Sequence, residues 1–162
     1  MVNFKILQRS DRLAWVFFPE LLERVVQFMK AEGYEDADEI REQVQVDFAM
    51  SRGGLFLAGL FWTDGEEPPR MVGHCFGQVV NYYHERALVI HQLHKEHPGG
   101  QGAEWHQEGV AALRAWAKAA GCRKIITFPR TKVHERLYRL AGFESKGPCR
   151  MALGVQDGES QH

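Results

Sequence analysis

Four places in this chain carry residue types that can do chemistry. The first is His91-Gln92-Leu93-His94-Lys95-Glu96-His97, a dense run drawn from eight histidines in 162 residues. Imidazole titrates near neutral pH and so suits a general base. The spacing of His91, His94 and His97 would gather metal ligands on a helix, but the run reads as a strand. There, odd spacing sends His91 and His94 to opposite faces. A zinc site needs a fuller ligand set, and no metal is expected. The second place is the turn His97-Pro98-Gly99-Gly100-Gln101-Gly102. An amphipathic helical pattern follows it from about Glu104 to Ala120. A helix start offers unsatisfied N–H donors and the positive end of a dipole, and glycine lets the backbone come close to a ligand. A phosphate is what such a turn can cradle. The third is Tyr138, in Tyr138-Arg139-Leu140-Ala141-Gly142-Phe143. A phenol holds its proton at neutral pH and can give it to a developing anion. The fourth is the set of three cysteines, Cys75, Cys122 and Cys149. They are widely spaced, odd in number and form no CxxC pair, so neither a disulfide framework nor a zinc ribbon is expected. Neither Cys75 nor Cys149 has a His/Asp arrangement to activate it, and both read as small hydrophobes.

These residues need elements to position them. Val2 to Leu7 reads as a first strand, with Phe4 and Ile6 on one face. Ser10-Asp11 is helix-start or turn chemistry, and Leu13 to Phe18 is apolar and ambiguous. Pro19 suits the first turn of a helix, whose face is Leu21, Leu22, Val25, Val26 and Met29 and whose stop is Gly33. Trp15, Phe17 and Phe18 read as core. Glu35 to Met50 forms a second helix, acidic at its start as the dipole prefers. Leu55 to Trp62 and Met71 to Tyr82 are strands joined by a Gly/Pro turn. Gly73 and Gly77 mark a bulge or a close backbone approach. A fourth strand starts near Ala87, a fifth is Lys124 to Phe128, and a last lies near Arg150 to Val155. The strand–helix–strand passage through residues 87–128 calls for a parallel pair, whereas the first strands suit an antiparallel meander. The result is an α/β (mixed α+β) domain over residues 1–155: a central, mostly antiparallel mixed sheet flanked by helices, in the order β-α-α-β-β-β-α-β-α-β. Residues 156–162 read as a flexible C-terminal tail.

That element order, the glycine-bearing turn after the fourth strand and the ending Leu137-Tyr138-x-x-x-Gly142-Phe143 resemble the GNAT superfamily of N-acetyltransferases. The resemblance covers nearly the whole chain and is most specific over Arg86 to Phe143. It implies acetyl-coenzyme A as co-substrate and acetyl transfer to an amine by direct attack. The strand around Leu93 would pair with the pantetheine. Gln101, Gly102, Ala103, Glu104, Trp105 and His106 would hold the pyrophosphate, with Thr131 also at the cofactor. Tyr138 would protonate the departing thiolate. His94 or Glu96, with His91 and His74 as further candidates, would take the proton of the amine. The family pattern is Arg/Gln-x-x-Gly-x-Gly/Ala, and Glu104 and His106 stand where its glycines fall. Thr131 and His134 stand where Asn and Ala are frequent. Those departures motivate a reading of another class: a GNAT-shaped structural or interaction protein without catalysis, phage-encoded and virion-associated.

Bulk properties narrow the field further. A net charge of −1 with 25% charged and 44% hydrophobic residues is that of an ordinary globular protein. No basic stripe marks a nucleic-acid partner; the run Arg123, Lys124, Arg130, Lys132, Arg136 and Arg139 reads as a solvated face. No apolar stretch approaches a membrane span, and the start is no signal peptide. A soluble, cytoplasmic protein is expected, or a virion protein under the second reading. The acceptor is a small-molecule or peptide amine, and a homodimer or larger assembly is compatible with the sequence.

Overall fold

A computed structural model describes residues 2–50, 54–63, 68–96, 102–147 and 150–155, without the side chains at 2, 62, 82 and 102–106. In chain order the elements are β1 (Val2–Ile6), α1 (Arg12–Ala31), α2 (Ala37–Met50), β2 (Leu55–Trp62), β3 (Arg70–Tyr82), β4 (Glu85–Lys95), α3 (Gly102–Ala119), β5 (Lys124–Thr127), α4 (Lys132–Leu140), β6 (Glu144–Ser145) and β7 (Met151–Gly154). The strands form one sheet in the order β1-β2-β3-β4-β5-β7-β6. β1·β2, β2·β3, β5·β7 and β6·β7 are antiparallel, and β4·β5 is parallel. This is the mixed, mostly antiparallel arrangement that the sequence implies, with the two-residue β6 added. Among the described residues no helix is long and apolar enough to cross a membrane.

The chain divides into two compact units. Unit 1 comprises Met1–Gln78 with Gln92–His97. Its core gathers Phe18, Leu21, Leu22, Val25, Val26 and Met29 of α1 with Val44 and Phe48 of α2 and Leu57, Phe61, Met71 and Phe76 of β2 and β3. Positions 56–61 and 71–77 are buried without a break. Such continuous burial is what a strand covered on both faces shows.

Helix α1 starts at Arg12, not at Pro19. Asp11 caps it, its side chain accepting from the Leu13 N–H at 2.9 Å, and Lys5 pairs with the same carboxylate at 2.9 Å. Ala14 and Phe18 extend the buried face of Leu21, Leu22 and Val25 backward by about two turns. Pro19 therefore lies inside the helix and forfeits the hydrogen bond to the Trp15 carbonyl, a cost of about 3 kcal/mol. Burial of one large apolar side chain returns about 1.5–3 kcal/mol. Phe18 stacks on Phe48 at 4.1 Å, and Trp15 meets Phe48 at 5.0 Å. The cap and this aromatic packing offset the proline. Phe18 joins the core as expected, whereas Trp15 stays 46% exposed at its rim.

Unit 2 comprises Val79–His91 and Pro98–His162. Its buried side chains include Leu88 and Ile90 of β4, Val110 and Leu113 of α3, Ile125 and Ile126 of β5, and Met151 and Leu153 of β7. Helix α3 lies between the two members of the parallel pair, the crossover that such a pair requires.

Candidate functional site

Unit 1 carries a polar cluster at the end of β4. A strand alternates its side chains, so Gln92, His94 and Glu96 share one face, and His91, Leu93 and Lys95 take the other. Helix α1 covers the first of these faces. Gln92 is buried and donates Nε2–H to the Val25 carbonyl at 3.3 Å. The Phe28 ring stands 5.5 Å from that of His94. Arg24 donates from Nη1 to Glu96 Oε1 at 2.5 Å and from Nη2 to the Met71 carbonyl at 3.0 Å. Its Nε and Nη2 also reach Glu20, at 3.2 and 3.0 Å. Glu96 and Glu20 are half-exposed, so these pairs are worth at most about 1 kcal/mol each and fix geometry more than stability.

His74 of β3 completes the cluster and is 1% exposed. Its ring lies 5.8 Å from His94 and 5.9 Å from Phe28. His74 Nε2 is 2.9 Å from Gln92 Oε1. The Val25 carbonyl can only accept, which turns the Gln92 NH2 toward it and the amide oxygen toward His74. His74 therefore donates from Nε2, and its Nδ1 is left with a lone pair. That Nδ1 is buried with no hydrogen-bond partner among the described residues. Burial is the main force on this imidazole, pushing its pKa down to about 4, so the ring is neutral at physiological pH.

A bulge gives the cluster its shape. The β2·β3 register slips between Leu60, opposite Gly73, and Phe61, opposite Met71, leaving Val72 as the extra residue. The Val72 carbonyl then accepts from the Glu96 N–H at 2.7 Å, while the Met71 carbonyl faces Arg24. Gly73 permits a close approach, since a Cβ there would sit 2.6 Å from the His94 carbonyl oxygen and 3.2 Å from Lys95 Cα. Both devices expected at Gly73, bulge and close approach, are present.

Leu93 belongs to unit 1, and unit 2 carries Gly102 to His106, Thr131 and Tyr138. The parallel register of β4 with β5 runs from Ala87↔Lys124 to Ile90↔Thr127, and β4 continues past its end through Leu93, which is half-buried. Helix α3 opens at Gly102, two residues earlier than the amphipathic pattern suggests. Gly102, Ala103, Glu104, Trp105 and His106 thus form its opening, where the N–H groups of Gly102, Ala103 and Glu104 have no partner within the helix. Gln101, like His97 and Cys149, lies outside the described residues. Thr131 is the N-cap of α4, its side chain accepting from the His134 N–H at 3.1 Å.

Tyr138 is buried near the end of α4. The helix closes with Ala141 as C-cap and Gly142 in the left-handed region at φ +91°. The Phe143 N–H reaches back to the Tyr138 carbonyl at 3.0 Å, and the Gly142 N–H to that of Arg139 at 3.0 Å. The Tyr138 and Phe143 rings meet edge to face at 5.0 Å. This is a Schellman stop with its hydrophobic contact. The Tyr-x-x-x-Gly-Phe spacing is therefore, in the first instance, a way to end a helix.

The structure brings His94, Glu96 and His74 together and sends His91 to the opposite face. Among the described residues no group of three His, Cys, Asp or Glu is placed to hold a metal. Cys75 is fully buried, and burial pushes its thiol well above the usual range, which fits an inert core residue. Arg24, Phe28 and Gln92 are members that sequence reasoning missed. Gln92 was open to detection, since it alternates with His94 and Glu96. Arg24 and Phe28 share a helix face at i, i+4, but nothing local ties them to a strand about seventy residues away.

Neither a family model nor a curated protein matches the sequence. Solved structures do match. A predicted acetyltransferase from Clostridium acetobutylicum, solved with acetyl-CoA, is 15% identical, covering 90% of this chain and 92% of its own at a TM-score of 0.63. A protein from Desulfovibrio desulfuricans assigned to the GNAT acetyltransferases is 16% identical, covering 96% and 100% at 0.60. The spermidine N-acetyltransferase of Vibrio cholerae, in complex with CoA and spermine, is 17% identical, covering 95% of each chain at 0.61. Over nearly its whole length, and at low identity to each of these proteins, this chain has the GNAT acetyltransferase fold.

Proposed function

We propose that the protein is an N-acyltransferase that moves an acetyl group from acetyl-CoA to an amine by direct attack. The observation that carries this reading is the passage from β4 to α3. A strand runs on beyond its parallel partner, and an 18-residue helix opens at Gly102 soon after. Backbone N–H groups at a helix start bind phosphate without any particular side chain. The altered positions Glu104 and His106 therefore leave the main-chain donors of the first turn in place. Gln101 to His106 are assigned to the pyrophosphate, the backbone at Leu93 to the pantetheine, and Thr131, the N-cap of α4, to a further contact with the cofactor.

In the reaction, the amine nitrogen forms a bond to the thioester carbonyl carbon and the C–S bond breaks. One proton leaves the nitrogen, and one reaches the sulfur. His94 is assigned as the base, because its imidazole is exposed at the end of β4 and imidazole is the side chain most often used for this task. Glu96 is a weaker candidate, since its carboxylate is held by Arg24, and it is assigned a positioning part. Tyr138 is assigned as the acid that gives the thiolate its proton. A relative solved with CoA and spermine supports an amine acceptor. The test is release of CoA thiol from acetyl-CoA, measured over a panel of polyamines and peptide amines. At least one amine is expected to raise release above hydrolysis, and His94→Ala to lower kcat/KM about 10²–10⁴-fold, the usual range for a general base. No release with any amine overturns the reading.

A further inference from the structure

The cluster on unit 1 contains one buried atom that nothing among the described residues satisfies. His74 Nδ1 is inaccessible and has no hydrogen-bond partner among the described residues. The Gln92 amide, itself fixed by the Val25 carbonyl, makes this nitrogen an acceptor. A buried acceptor without a donor costs free energy of order 1–3 kcal/mol, so such an atom calls for an explanation. Donors near it are few. The three nitrogens of Arg24 are committed to Glu20, Glu96 and the Met71 carbonyl. Phe28, which faces both imidazoles, offers only its ring. Among the described members of the cluster, the other ring that can donate is that of His94, 5.8 Å from His74 between centroids and tilted by 43°. At that separation a rotation of this exposed side chain, or one bridging water, would be needed to bring a ring N–H of His94 to His74 Nδ1.

We infer that His74 is the positioning residue of the base: its Nδ1 accepts the N–H of one His94 nitrogen and leaves the other His94 nitrogen as the lone pair that takes the proton of the amine. This rests on the assignment of His94 as the base. The arrangement resembles the orienting half of a catalytic triad with a neutral acceptor in place of a carboxylate. Gln92 holds the tautomer of His74, and His74 in turn holds that of His94. When His94 gains the proton, its N–H becomes a stronger donor, so the contact to Nδ1 tightens as charge develops. The charged groups facing this pair are Arg24 of α1 and Glu96 of β4, which oppose each other, with Glu20 behind Arg24. No ionisable side chain approaches from β2, where Gly59 stands opposite His74.

The first experiment needs no turnover. Long-range ¹H–¹⁵N NMR of the full chain reads the tautomer of each imidazole. His74 is expected as the Nε2–H form and His94 as a single tautomer. In His74→Phe and in Gln92→Leu, His94 is expected to revert to a mixture. A mixture in the wild-type protein, or a His94 pattern untouched by both substitutions, overturns the inference even if the protein acetylates amines. The second experiment follows the pH profile of kcat/KM. Losing an acceptor that favours imidazolium moves the acid limb to lower pH by about one unit and lowers the plateau about tenfold. A purely structural part for His74 would change folded protein and plateau together and leave the limb in place. If no amine is acetylated while the NMR pattern is as expected, the functional reading fails and the hydrogen bond stands.

Discussion

At the residue scale, His74 and Tyr138 are the buried polar side chains that offer separate tests. His74 is neutral in the folded protein, its pKa lowered to about 4 by burial, and titrates near 6.5 when unfolded. The unfolded chain therefore binds the extra proton first as pH falls. Stability from this group is complete above pH 6.5 and is lost between pH 6.5 and about 4. The full loss is roughly 3–4 kcal/mol, from a fall from 6.5 to about 4 at about 1.4 kcal/mol per pH unit. Urea melts across that window are expected to show the loss in the wild type and a flatter dependence in His74→Leu. An equal slope in both proteins refutes the assignment. Tyr138 offers a different test. Tyr138→Phe keeps the ring that meets Phe143, and the helix stop uses only backbone groups. A Tm within a few degrees of wild type and a fall in kcat of about 10²-fold or more are expected. An unchanged kcat would reduce Tyr138 to packing.

At the element scale, helix ends follow one pattern. Three helices stop in the same way. The N–H groups of Tyr34, Cys122 and Phe143 reach back to the carbonyls of Met29, Ala117 and Tyr138, after Gly33, Gly121 and Gly142 at positive φ. Gly142→Ala would force a side chain into the left-handed region at a cost of about 1–2 kcal/mol. A fall in Tm of about 2–8 °C is expected in calorimetry. These stops were legible because glycine after a periodic apolar run has one dominant structural use. The β2 and β3 strands and the parallel pair were legible for the same local reasons. The start of α1 was not, because Pro19 is a strong local signal, and what overrides it, the stacking of Phe18 on Phe48, comes from another helix. The cluster at the end of β4 was legible only in half. His94 and Glu96 announce themselves by type, whereas Arg24 enters through a contact to Glu96 across 72 positions. The close approach at Gly73 was visible as a glycine within a strand, but its partner, the His94 carbonyl, was not.

At the scale of the whole molecule, a shared fold coexists with identities of 15–17% to the structures described above. Core packing tolerates wide substitution if volume and pattern are kept. A phosphate site made of main-chain N–H groups is written in backbone geometry, so side chains can change around it. Such a chain can drift beyond detection by sequence and keep its elements. If it has also kept its co-substrate, ligand must stabilise the folded state. With acetyl-CoA at 100 times its Kd, the stabilisation is about 2.7 kcal/mol, read as a rise in Tm. The measurement that bears most directly on the account is isothermal titration of the protein with acetyl-CoA at low and high salt. Saturable one-to-one binding, weaker at high salt as a pyrophosphate contact requires, is predicted. No heat of binding at millimolar acetyl-CoA would contradict it.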